Sequence, residues 1–379
     1  MFIINYNMKK YYFLINSLEW GGAERVITRI VSSKLYKKHE VTIITLKNIN
    51  FYDLPKNVKH LALSNIKNNF LMFLNIPFFT FKFKKVLKKN NFDGGMSSLE
   101  IANFVNILAN KKAKIAFGTT ISFFSWIIGR CYKQLIKILY PKAERIKVNS
   151  EENKYLLAKY LKISEDKIDV IYNPIDLKQI DILKNEKVES ELMNEMRGKE
   201  VFITTGRLIS SKHHTKIITA LKKIYDEWEK KRYFLILSDW PERKHLEKLV
   251  SLYGLNNFIK FLGLQKNVFK YLHQADYYLY ASEIEGFPNV LIEALACDLG
   301  IITSHFRTWC EEFISGEYNE NFKIKYPYYW ENWVIISNEN YEDDFYFVYT
   351  NRKNILKRKK WFEKFDIDVV AEQLMKFIS

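Results

Sequence analysis

The chain has 379 residues, more than one ordinary hydrophobic core holds, which predicts about two domains. Apolar residues make up 48% and charged residues 27%, and this balance excludes an intrinsically disordered chain. The net charge of +16 leaves open nucleic acid, an anionic membrane face or a phosphorylated substrate as partner, and also a purely compositional origin.

Short β-rich runs alternate with helix-length segments from the N-terminus onward. In the first half the sequence predicts the strands Tyr11–Ile15, Glu40–Leu46, Val58–Leu63, Lys114–Phe117 and Arg145–Val148. The helices predicted between them include Ala23–Leu35, Leu99–Asn110 and Glu151–Leu161. Strand–helix alternation is typical of parallel sheets that are covered by helices on both faces.

The second half repeats this alternation. Its predicted strands are EVFITTG (200–206), YFLILS (233–238), FIKFLG (258–263), YYLYAS (277–282) and GIITS (300–304). After Ser304 the aromatic-rich stretch YPYYWENW interrupts the pattern, and two more helices are predicted at Ile355–Phe362 and Asp368–Ile378. The predicted fold class is therefore α/β, with two doubly wound Rossmann-like domains that face a cleft.

The turn signal Asn173-Pro174 marks the join, because proline forces the residue before it out of the helical region. We predict a first domain over 1–172, a second over 173–350, and C-terminal helices over 351–379 that pack back on the first domain. In open α/β sheets ligands bind at the carboxyl ends of the strands, so functional residues are expected just after strands.

The segment SLEWGGAERV follows the first predicted strand and opens the first helix. Gly21 and Gly22 lack Cβ atoms, so the backbone can approach a ligand, and the free N–H groups of a helix N-terminus favour an anion. A double glycine is also typical of an ordinary tight turn, and both interpretations remain open.

The segment TTGRLISSKHHT follows the first strand of the second domain. Arg207 is predicted to end that strand and Lys212 to begin the next helix, where a forked guanidinium and a compact ammonium would neutralise a diphosphate. Two solvated cations are the alternative. His213 and His214 are predicted to be exposed residues of the first helical turn rather than bases.

The segment ASEIEGFPNVLIEALAC places two glutamates around a proline. Pro288 suits the first position of a helix, Glu285 lies just before it, and Glu293 lies within it. Considered singly, Glu285 favours the helix dipole and Glu293 is solvated. Considered together, the two carboxylates lie at one rim of the cleft and can accept hydrogen bonds from different hydroxyls of one ligand.

EGFPNVLIEALAC resembles the E-x7-E segment of the family 4 glycosyltransferases, retaining enzymes with two Rossmann-like domains of the GT-B type. SLEWGGAERV, YNPID and GRLISSK resemble three more signatures of this family, in the expected order between Lys9 and Ser304. The combination is most similar to bacterial members that extend oligosaccharides on undecaprenyl diphosphate, in particular N-acetylgalactosaminyltransferases of the N-glycosylation pathway in Campylobacter-like bacteria.

The resemblance implies that the first domain takes the acceptor and the second the nucleotide sugar. Gly22 would approach the donor diphosphate, which Arg207 and Lys212 would clamp. Glu285 would contact the transferred sugar, and Glu293 the nucleotide ribose. The donor-binding set is then Gly21, Gly22, Arg207, Lys212, Glu285, Gly286, Phe287, Pro288, Asn289 and Glu293.

The resemblance also implies no metal and no cofactor beyond the UDP-sugar substrate. The sequence agrees, because no CxxC or HExxH pairing occurs and the three cysteines are widely spaced, which favours a reducing cytoplasm. The N-terminal apolar run YYFLINSL lacks a cleavage site, so no signal peptide is predicted.

Two segments depart from the family pattern. KIAFGTTIS has Phe117 and Gly118 where members often have an acidic residue and a histidine, although Thr119 and Thr120 could line an acceptor site. SDWPER, from Ser238, replaces a glycine-rich turn, and Trp240 is predicted to fill space rather than to stack on a base. An altered specificity or a weakened enzyme therefore remains open.

A basic and aromatic cluster spans Asn68 to Phe92, and its apolar run is too short to cross a bilayer. It could lie in the membrane interface with its lysines toward anionic headgroups, or form an ordinary domain helix with a solvated face. The lysines predicted to contact the membrane are Lys84, Lys85, Lys88 and Lys89. A second basic cluster, Asn351–Phe365, could be another membrane contact or a helix on the first domain.

The sequence thus predicts a retaining enzyme that transfers a hexose or N-acetylhexosamine from a UDP-sugar to a lipid-linked oligosaccharide or a lipopolysaccharide or capsule precursor. It would act in the cytoplasm, peripherally on the inner face of the bacterial plasma membrane, with Arg207, Lys212 and Glu285 as catalytic residues. A catalytically impaired scaffold is one alternative. A nucleic-acid-binding protein is another, but the sequence has no recognition motif for it and we predict no such partner.

Overall fold

The computed structural model describes residues 8–19, 21–118, 127–227, 231–239, 241–283, 285–306, 312, 324–330, 333–350 and 364–379. The chain divides into two compact units, Met1–Ile175 with Lys364–Ser379 and Asp176–Glu363. The first stretch of the first unit therefore ends at Ile175, whereas the predicted boundary was 172. The predicted segment 351–379 is divided at Lys364, and the helix predicted at 355–362 lies outside the described residues.

In the described part of the first unit, seven parallel strands form one sheet in the order β3-β2-β1-β4-β5-β6-β7. The strands are β1 Lys10–Ile15, β2 Glu40–Lys47, β3 Val58–Ser64, β4 Gly94–Ser98, β5 Lys114–Ala116, β6 Arg145–Val148 and β7 Ile168–Val170. The five strands predicted for this half are confirmed, and β4 and β7 are additional.

The helices of this unit are α1 Gly22–Val31, α2 Asn69–Leu74, α3 Ile76–Asn90, α4 Glu100–Ala109, α5 Ile127–Leu139, α6 Glu151–Leu161 and, from the end of the sequence, α14 Ile367–Ile378. The prediction was wrong at the end of α1, which stops at Val31 rather than at Leu35. Ser32 follows as its C-cap, and a separate 3₁₀ turn occupies Tyr36–Lys38.

Strand β1 shows why this sheet is covered on both faces. Tyr11 and Phe13 belong to one hydrophobic cluster, together with residues of α1 and α14. Tyr12 and Leu14 belong to another, together with residues of α3 and α4. Because successive side chains of a strand point to opposite faces, an uninterrupted apolar run produces a strand that is buried on both sides.

Strand β4 was missed in the sequence because GGMSS contains no β-branched or aromatic residue. Its glycines have a packing role in the centre of the sheet. A Cβ atom at Gly94 would overlap the carbonyl oxygen of Ile378 in α14, and one at Gly95 would overlap the ring of Tyr12. The glycines therefore let these neighbours pack directly on the strand backbone.

Two buried asparagines attach α4 to the sheet. Asn103 Nδ2 donates to the carbonyl oxygen of Ala116 at 2.9 Å. Asn106 Nδ2 donates to Ser97 Oγ at 3.1 Å, and Asn106 Oδ1 accepts a hydrogen bond from the Tyr12 hydroxyl at 3.2 Å. Because buried amides are costly unless they are paired, these bonds specify one position for α4 on the sheet.

Helix α14 completes the first unit although the second unit precedes it in the chain. Leu374 and Ile378 pack in the same cluster as Phe13. The backbone N–H of Ile367 donates to the carbonyl oxygen of Ile175 at 2.8 Å, so the entry of α14 is fixed by the residue that ends the first stretch of this unit.

The described strands of the second unit form a seven-stranded sheet in the order β10-β9-β8-β11-β12-β14-β13. They are β8 Glu200–Thr205, β9 Arg232–Leu237, β10 Ile259–Phe261, β11 Tyr277–Tyr280, β12 Gly300–Ser304, β13 Tyr328–Trp330 and β14 Trp333–Ile336. All neighbours pair in parallel except β13 and β14. The described residues of the aromatic stretch that interrupts the sequence pattern therefore belong to an antiparallel pair of strands at one edge of the sheet.

The helices of the second unit are α7 Leu177–Leu183, α8 Ser190–Met196, α9 His214–Glu227, α10 Arg243–Leu252, α11 Phe269–Leu272, α12 Asn289–Ala296 and α13 Tyr341–Thr350. Residues of α9 and α13 share one hydrophobic cluster with inward-facing residues of β8, β9 and β12. Each unit is thus a Rossmann-like α/β domain, as predicted.

We predict that Gly94→Ala destabilises the first unit. The added Cβ would overlap backbone atoms of α14, which cannot move away by a change of rotamer as a side chain can. Overpacking of this kind costs about 1–3 kcal/mol in the free energy of unfolding. Thermal unfolding should therefore begin several degrees lower, since about 1 kcal/mol shifts Tm by roughly 2–4 °C in domains of this size. Gly22→Ala is the control, because its Cβ would enter open space. Equal Tm values for the two variants would contradict the packing role of Gly94.

Candidate functional site

Two loops of the second unit carry most of the predicted site residues. The β8–α9 loop comprises residues 206–213 and the β11–α12 loop residues 281–288. Strands β8 and β11 are parallel neighbours, with Phe202 paired to Tyr277 and Ile203 to Tyr278. Both loops therefore leave the sheet at the same edge, at the carboxyl ends of adjacent strands, where α/β proteins bind ligands.

Arg207 lies in the β8–α9 loop and is exposed. The prediction that it ends the strand was wrong by two residues, because β8 ends at Thr205 and Gly206 turns the chain with φ +109°. Only glycine adopts this backbone conformation easily. Within the described part of the chain the guanidinium of Arg207 makes no hydrogen bond or ion pair, so its donors point to solvent.

Lys212 lies at the end of a 3₁₀ turn, Ser210–Lys212, rather than at the start of α9 as predicted, since that helix begins at His214. Its ammonium forms an ion pair with the Glu285 carboxylate of the neighbouring loop. Lys212 Nζ also donates to the Tyr280 hydroxyl at 3.1 Å. The two side chains of the ion pair are only 20% and 13% exposed, so the pair is well shielded from water.

Tyr280 is the residue of this site that the sequence did not reveal. It ends β11, is 4% exposed, and donates its hydroxyl hydrogen to Glu285 Oε1. Burial, and then the negative charge of Glu285, raise the pKa of the phenol well above its usual range, so Tyr280 stays neutral. In the sequence YYLYAS it is indistinguishable from the core aromatics around it. We refer to Lys212, Tyr280 and Glu285 as the Lys–Tyr–Glu cluster.

Further contacts fasten the two loops to each other and the β11–α12 loop to strand β12. Ser282 Oγ donates to the carbonyl oxygen of Ser211 at 3.4 Å, and Ser304 Oγ donates to that of Ser282 at 2.8 Å. His213 Nε2 lies 3.4 Å from Glu283 Oε2 at the outer end of the loops. The Lys–Tyr–Glu cluster is therefore held by backbone as well as by its own hydrogen bonds.

The E-x7-E segment folds as predicted in outline, with two corrections. Pro288 is the N-cap residue of α12 rather than its first residue, which is Asn289. Glu293, which alone would be expected in solvent, is 3% exposed. Gly286, Phe287 and Pro288 form the bend between Glu285 and the helix, and Phe287 and Pro288 are buried.

Asn289 contributes a polar atom to the start of α12. Its Oδ1 is buried and has no hydrogen-bond partner among the described residues. A buried acceptor without a donor is costly, and a ligand hydroxyl or N–H would relieve that cost. Asn289 and Glu293 lie one helical turn apart, so both carry acceptors along the same side of α12.

The segment that replaces the family's glycine-rich turn lies beside Arg207. Pro241 forms a parallel bridge with Leu208, and the N–H of Glu242 donates to the carbonyl oxygen of Leu208 at 3.0 Å. Asp239 and Arg243 form an ion pair at 3.4 Å. This departure therefore lies next to the residue that the family resemblance assigns to the diphosphate. Trp240 lies outside the described residues.

In the first unit, Gly21 is the N-cap of α1 and Gly22 its first residue. A Cβ at Gly22 would meet nothing within 4 Å, so the backbone there is open to a ligand. A Cβ at Gly21 would instead overlap the carboxylate of Glu24, which is buried. Burial raises the pKa of Glu24 above its ordinary value. The sequence did not reveal this packing role of Gly21, which leaves room for the Glu24 side chain.

The proposed acceptor side is only partly described. Phe117 is buried, and the carbonyl oxygen of Gly118 accepts a hydrogen bond from Asn149 Nδ2 at 3.2 Å. Thr119 and Thr120 lie outside the described residues.

Helices α2 and α3 have a buried side and an unusually apolar exposed side. Ile76, Phe79 and Phe83 pack into the core, as an ordinary domain helix requires. The exposed side has large apolar residues next to exposed lysines, which are Phe70, Leu71, Leu74, Phe78, Phe81, Lys84, Lys85, Lys88 and Lys89. We refer to these nine residues as the aromatic–lysine face.

The described part of the chain also bears on membrane insertion and on metal binding. None of its helices combines the length and apolar character needed to cross a bilayer. In the same residues, no group of three or more His, Cys, Asp or Glu side chains is arranged to hold a metal ion.

Two family models match the sequence. The model described as Glycosyltransferase Family 4 matches residues 20–179, and the model described as Glycosyl transferases group 1 matches residues 187–333. The second match contains the Lys–Tyr–Glu cluster, Arg207 and Glu293.

Two curated relatives align over most of their length. An N-acetylgalactosamine-N,N'-diacetylbacillosaminyl-diphospho-undecaprenol 4-alpha-N-acetylgalactosaminyltransferase of Campylobacter jejuni is 29% identical over 324 residues, which are 82% of this chain and 84% of the relative. An uncharacterized glycosyltransferase of Methanocaldococcus jannaschii is 27% identical over 348 residues, 86% of this chain and 84% of the relative.

Solved structures support the same fold. A glycosyltransferase from Rickettsia africae superposes with a TM-score of 0.71 at 18% identity, over 98% of both chains. Anabaena HepE in complex with UDP superposes with a TM-score of 0.69 at 16% identity, over 97% of this chain and 98% of HepE. At these identities the likeness concerns the fold, which is of the GT-B type.

We predict that His214 makes the free energy of unfolding depend on pH, because its ring is buried. The sequence-based expectation that His214 is exposed was therefore wrong. His214 is 4% exposed and its Nδ1 has no partner among the described residues. Burial, then the charges of Lys212 and His213, lower its pKa from 6.5 to about 4. As the pH falls from 6.5 toward 4, only the unfolded chain takes up this proton, so stability present above pH 6.5 is lost, up to about 3 kcal/mol.

Urea unfolding of wild type and His214→Asn at several pH values between 4 and 6.5 measures this effect. The variant should lose less stability than wild type across that interval, because asparagine does not titrate. His213→Asn is the matched control, since its ring is only half-buried. Parallel pH profiles for wild type and His214→Asn would contradict the prediction.

Proposed function

Because the chain belongs to the family 4 glycosyltransferases, we propose that it transfers a hexose or N-acetylhexosamine from a UDP-sugar, with retention, to a lipid-linked oligosaccharide or a lipopolysaccharide or capsule precursor. The Campylobacter relative supports N-acetylgalactosamine as the first sugar to test and an undecaprenyl-linked acceptor. The UDP bound to HepE supports a uridine nucleotide.

The observation that carries the proposal is the Lys–Tyr–Glu cluster at the carboxyl ends of β8 and β11, with exposed Arg207 in the same loop as Lys212. Arg207 can present a forked pair of donors to a diphosphate, and Lys212 adds a compact charge. Both would stabilise the negative charge that grows on the departing UDP, which is electrostatic catalysis by groups that are already in place.

The carboxylates act on the sugar and the ribose in this proposal. Glu285 accepts hydrogen bonds from hydroxyls of the transferred sugar and orients it. Glu293 accepts hydrogen bonds from the ribose. Asn289 Oδ1, one turn earlier and without a partner among the described residues, accepts another hydrogen bond from the donor. We assign no nucleophile. Arg207 and Lys212 supply the positive charge at the diphosphate, so we propose that no metal or other cofactor is required.

A catalytically impaired relative that binds the sugar nucleotide is the second candidate. It is favoured by Phe117, which is buried where family members often carry an acidic residue, and by the altered segment at 238–241 beside Leu208. Binding of UDP-sugar without any turnover, with a range of lipid-linked acceptors, would support this candidate over the transferase.

The aromatic–lysine face supports a peripheral location on the inner face of the plasma membrane. Rings that stay exposed beside a basic helix end can enter the headgroup region while the lysines contact anionic lipids. Lys85 Nζ lies 4.3 Å from the centroid of the Phe81 ring, so aromatic and cationic groups of this face are in contact. We therefore propose an anionic bilayer, and not nucleic acid, as the partner of the basic surface.

We predict selective binding of UDP-sugars that depends on Glu293. Saturation-transfer NMR with a panel of nucleotide sugars should give the strongest signals for a UDP-sugar, with UDP-N-acetylgalactosamine tested first. Glu293→Ala should weaken binding about tenfold or more, because a hydrogen bond to a charged group contributes about 1.5–3 kcal/mol. Glu283→Ala is the control, since that carboxylate lies exposed on the neighbouring loop. Absence of nucleotide binding to wild type would overturn the proposed function.

We predict that the aromatic–lysine face binds anionic vesicles. In the test variant, glutamine replaces four lysines, which are Lys84, Lys85, Lys88 and Lys89. Binding to phosphatidylglycerol-containing vesicles, measured by co-sedimentation, should weaken on the order of a thousandfold, at about 1 kcal/mol for each of the four lysines. The control removes equal charge from exposed lysines of the same unit, namely Lys111, Lys112, Lys137 and Lys142. Equal vesicle binding by wild type and the first variant would refute the membrane contact.

A further inference from the structure

Tyr280 has no role in the family resemblance, yet its hydroxyl lies between the two charged groups assigned to the donor. We propose that Tyr280 is a positioning residue: its hydroxyl holds the Glu285 carboxylate in place when Lys212 leaves that carboxylate to bind the donor diphosphate. This inference rests on the function proposed above. It adds how Lys212 changes partner, from the Glu285 carboxylate to the diphosphate of the ligand.

The Lys–Tyr–Glu cluster is a closed triangle. Lys212 Nζ and the Tyr280 hydroxyl both donate to the same atom, Glu285 Oε1, and Lys212 Nζ also donates to the hydroxyl oxygen at 3.1 Å. In this arrangement the ammonium of Lys212 is bonded to Glu285 and Tyr280, whereas the proposed function requires it to bind the diphosphate. Binding of the donor therefore competes with the Lys212–Glu285 pair.

Tyr280 is the member of the triangle that cannot move. Its ring lies edge-on against Phe306, with centroids 6.1 Å apart, and 6.3 Å from the ring of Tyr278. The carbonyl oxygen of Tyr280 accepts a hydrogen bond from the Tyr341 hydroxyl at 3.3 Å. The ammonium of Lys212, in contrast, is at the end of a flexible four-carbon side chain in the β8–α9 loop, so it can turn toward a ligand.

The chemistry of the hydroxyl suits this role. Burial keeps Tyr280 neutral, so it remains a donor toward Glu285 whether or not Lys212 is nearby. Its hydrogen bond to the carboxylate matters more once the ammonium has gone, because a carboxylate with fewer partners gains more from each. The hydroxyl thus lowers the cost of separating Lys212 from Glu285, and it keeps the carboxylate directed toward the sugar.

The experiment measures the affinity of UDP, which lacks the transferred sugar and therefore reports on the exchange of Lys212 without any contact between that sugar and Glu285. Isothermal titration calorimetry measures this affinity for wild type and for three variants. The variants are Tyr280→Phe, Glu285→Gln and the double variant. Tyr278→Phe is the matched control, because that buried tyrosine precedes Tyr280 by two residues on β11 but bonds to Thr205 Oγ1, at 2.9 Å. All variants are first compared in thermal unfolding.

Tyr280→Phe should weaken UDP binding about tenfold, while Tyr278→Phe changes it less than about twofold. Glu285→Gln should bind UDP as tightly as wild type or more tightly, because Lys212 is released from its ion pair. On that background the loss of the Tyr280 hydroxyl should have no further effect. A purely structural role would give the same loss on both backgrounds.

The proposal is overturned if Tyr280→Phe leaves UDP affinity unchanged, if its effect persists in the double variant, or if Glu285→Gln abolishes binding. Wild type that binds no UDP is a different result, because it refutes the transferase itself and not only the role of Tyr280. Wild-type binding combined with equal losses for Tyr280→Phe and Tyr278→Phe overturns only the role of Tyr280.

Discussion

The site of the second unit depends on the direct parallel pairing of β8 with β11. The residues that form it are far apart in the chain, and only this pairing brings Lys212 to Glu285. Because the strands run in the same direction, their following loops meet at one edge of the sheet. A shift of register by one residue would turn Tyr280 to the opposite face, so the pairing determines which side chains can meet as well as where the loops lie.

An ion pair as shielded as Lys212–Glu285 contributes little net stability, because removing both charges from water offsets most of their attraction. Under the proposed function, its position between two loops serves a ligand that is charged at one end and rich in hydroxyls at the other. The fold retains the pair by surrounding it with neutral, fixed groups. Ser282 and Ser211 hold the backbone of the two loops, and Tyr280 holds the carboxylate.

The sequence allowed the prediction of both sheets and of the charged residues at their edge, since apolar alternation and position after a strand are local signals. It did not reveal strand β4, where glycines serve packing rather than strand propensity, or Tyr280, which reads as one more core aromatic. The burial of Glu293 and His214 was equally hidden, because it depends on elements distant in the chain. Sequence periodicity identifies the face of an element but not the neighbours that cover it.

The first unit is assembled from two separate stretches, and this affects how the protein folds in the cell. The part of one sheet face that α14 covers stays exposed until residues 367–378 have left the ribosome, whereas the second unit is by then fully synthesised. The unit that is translated first is therefore the last to be completed, which reverses the usual N-terminal-first order of domain folding. During that interval the apolar side chains of β1 beneath α14 are accessible to chaperones and proteases.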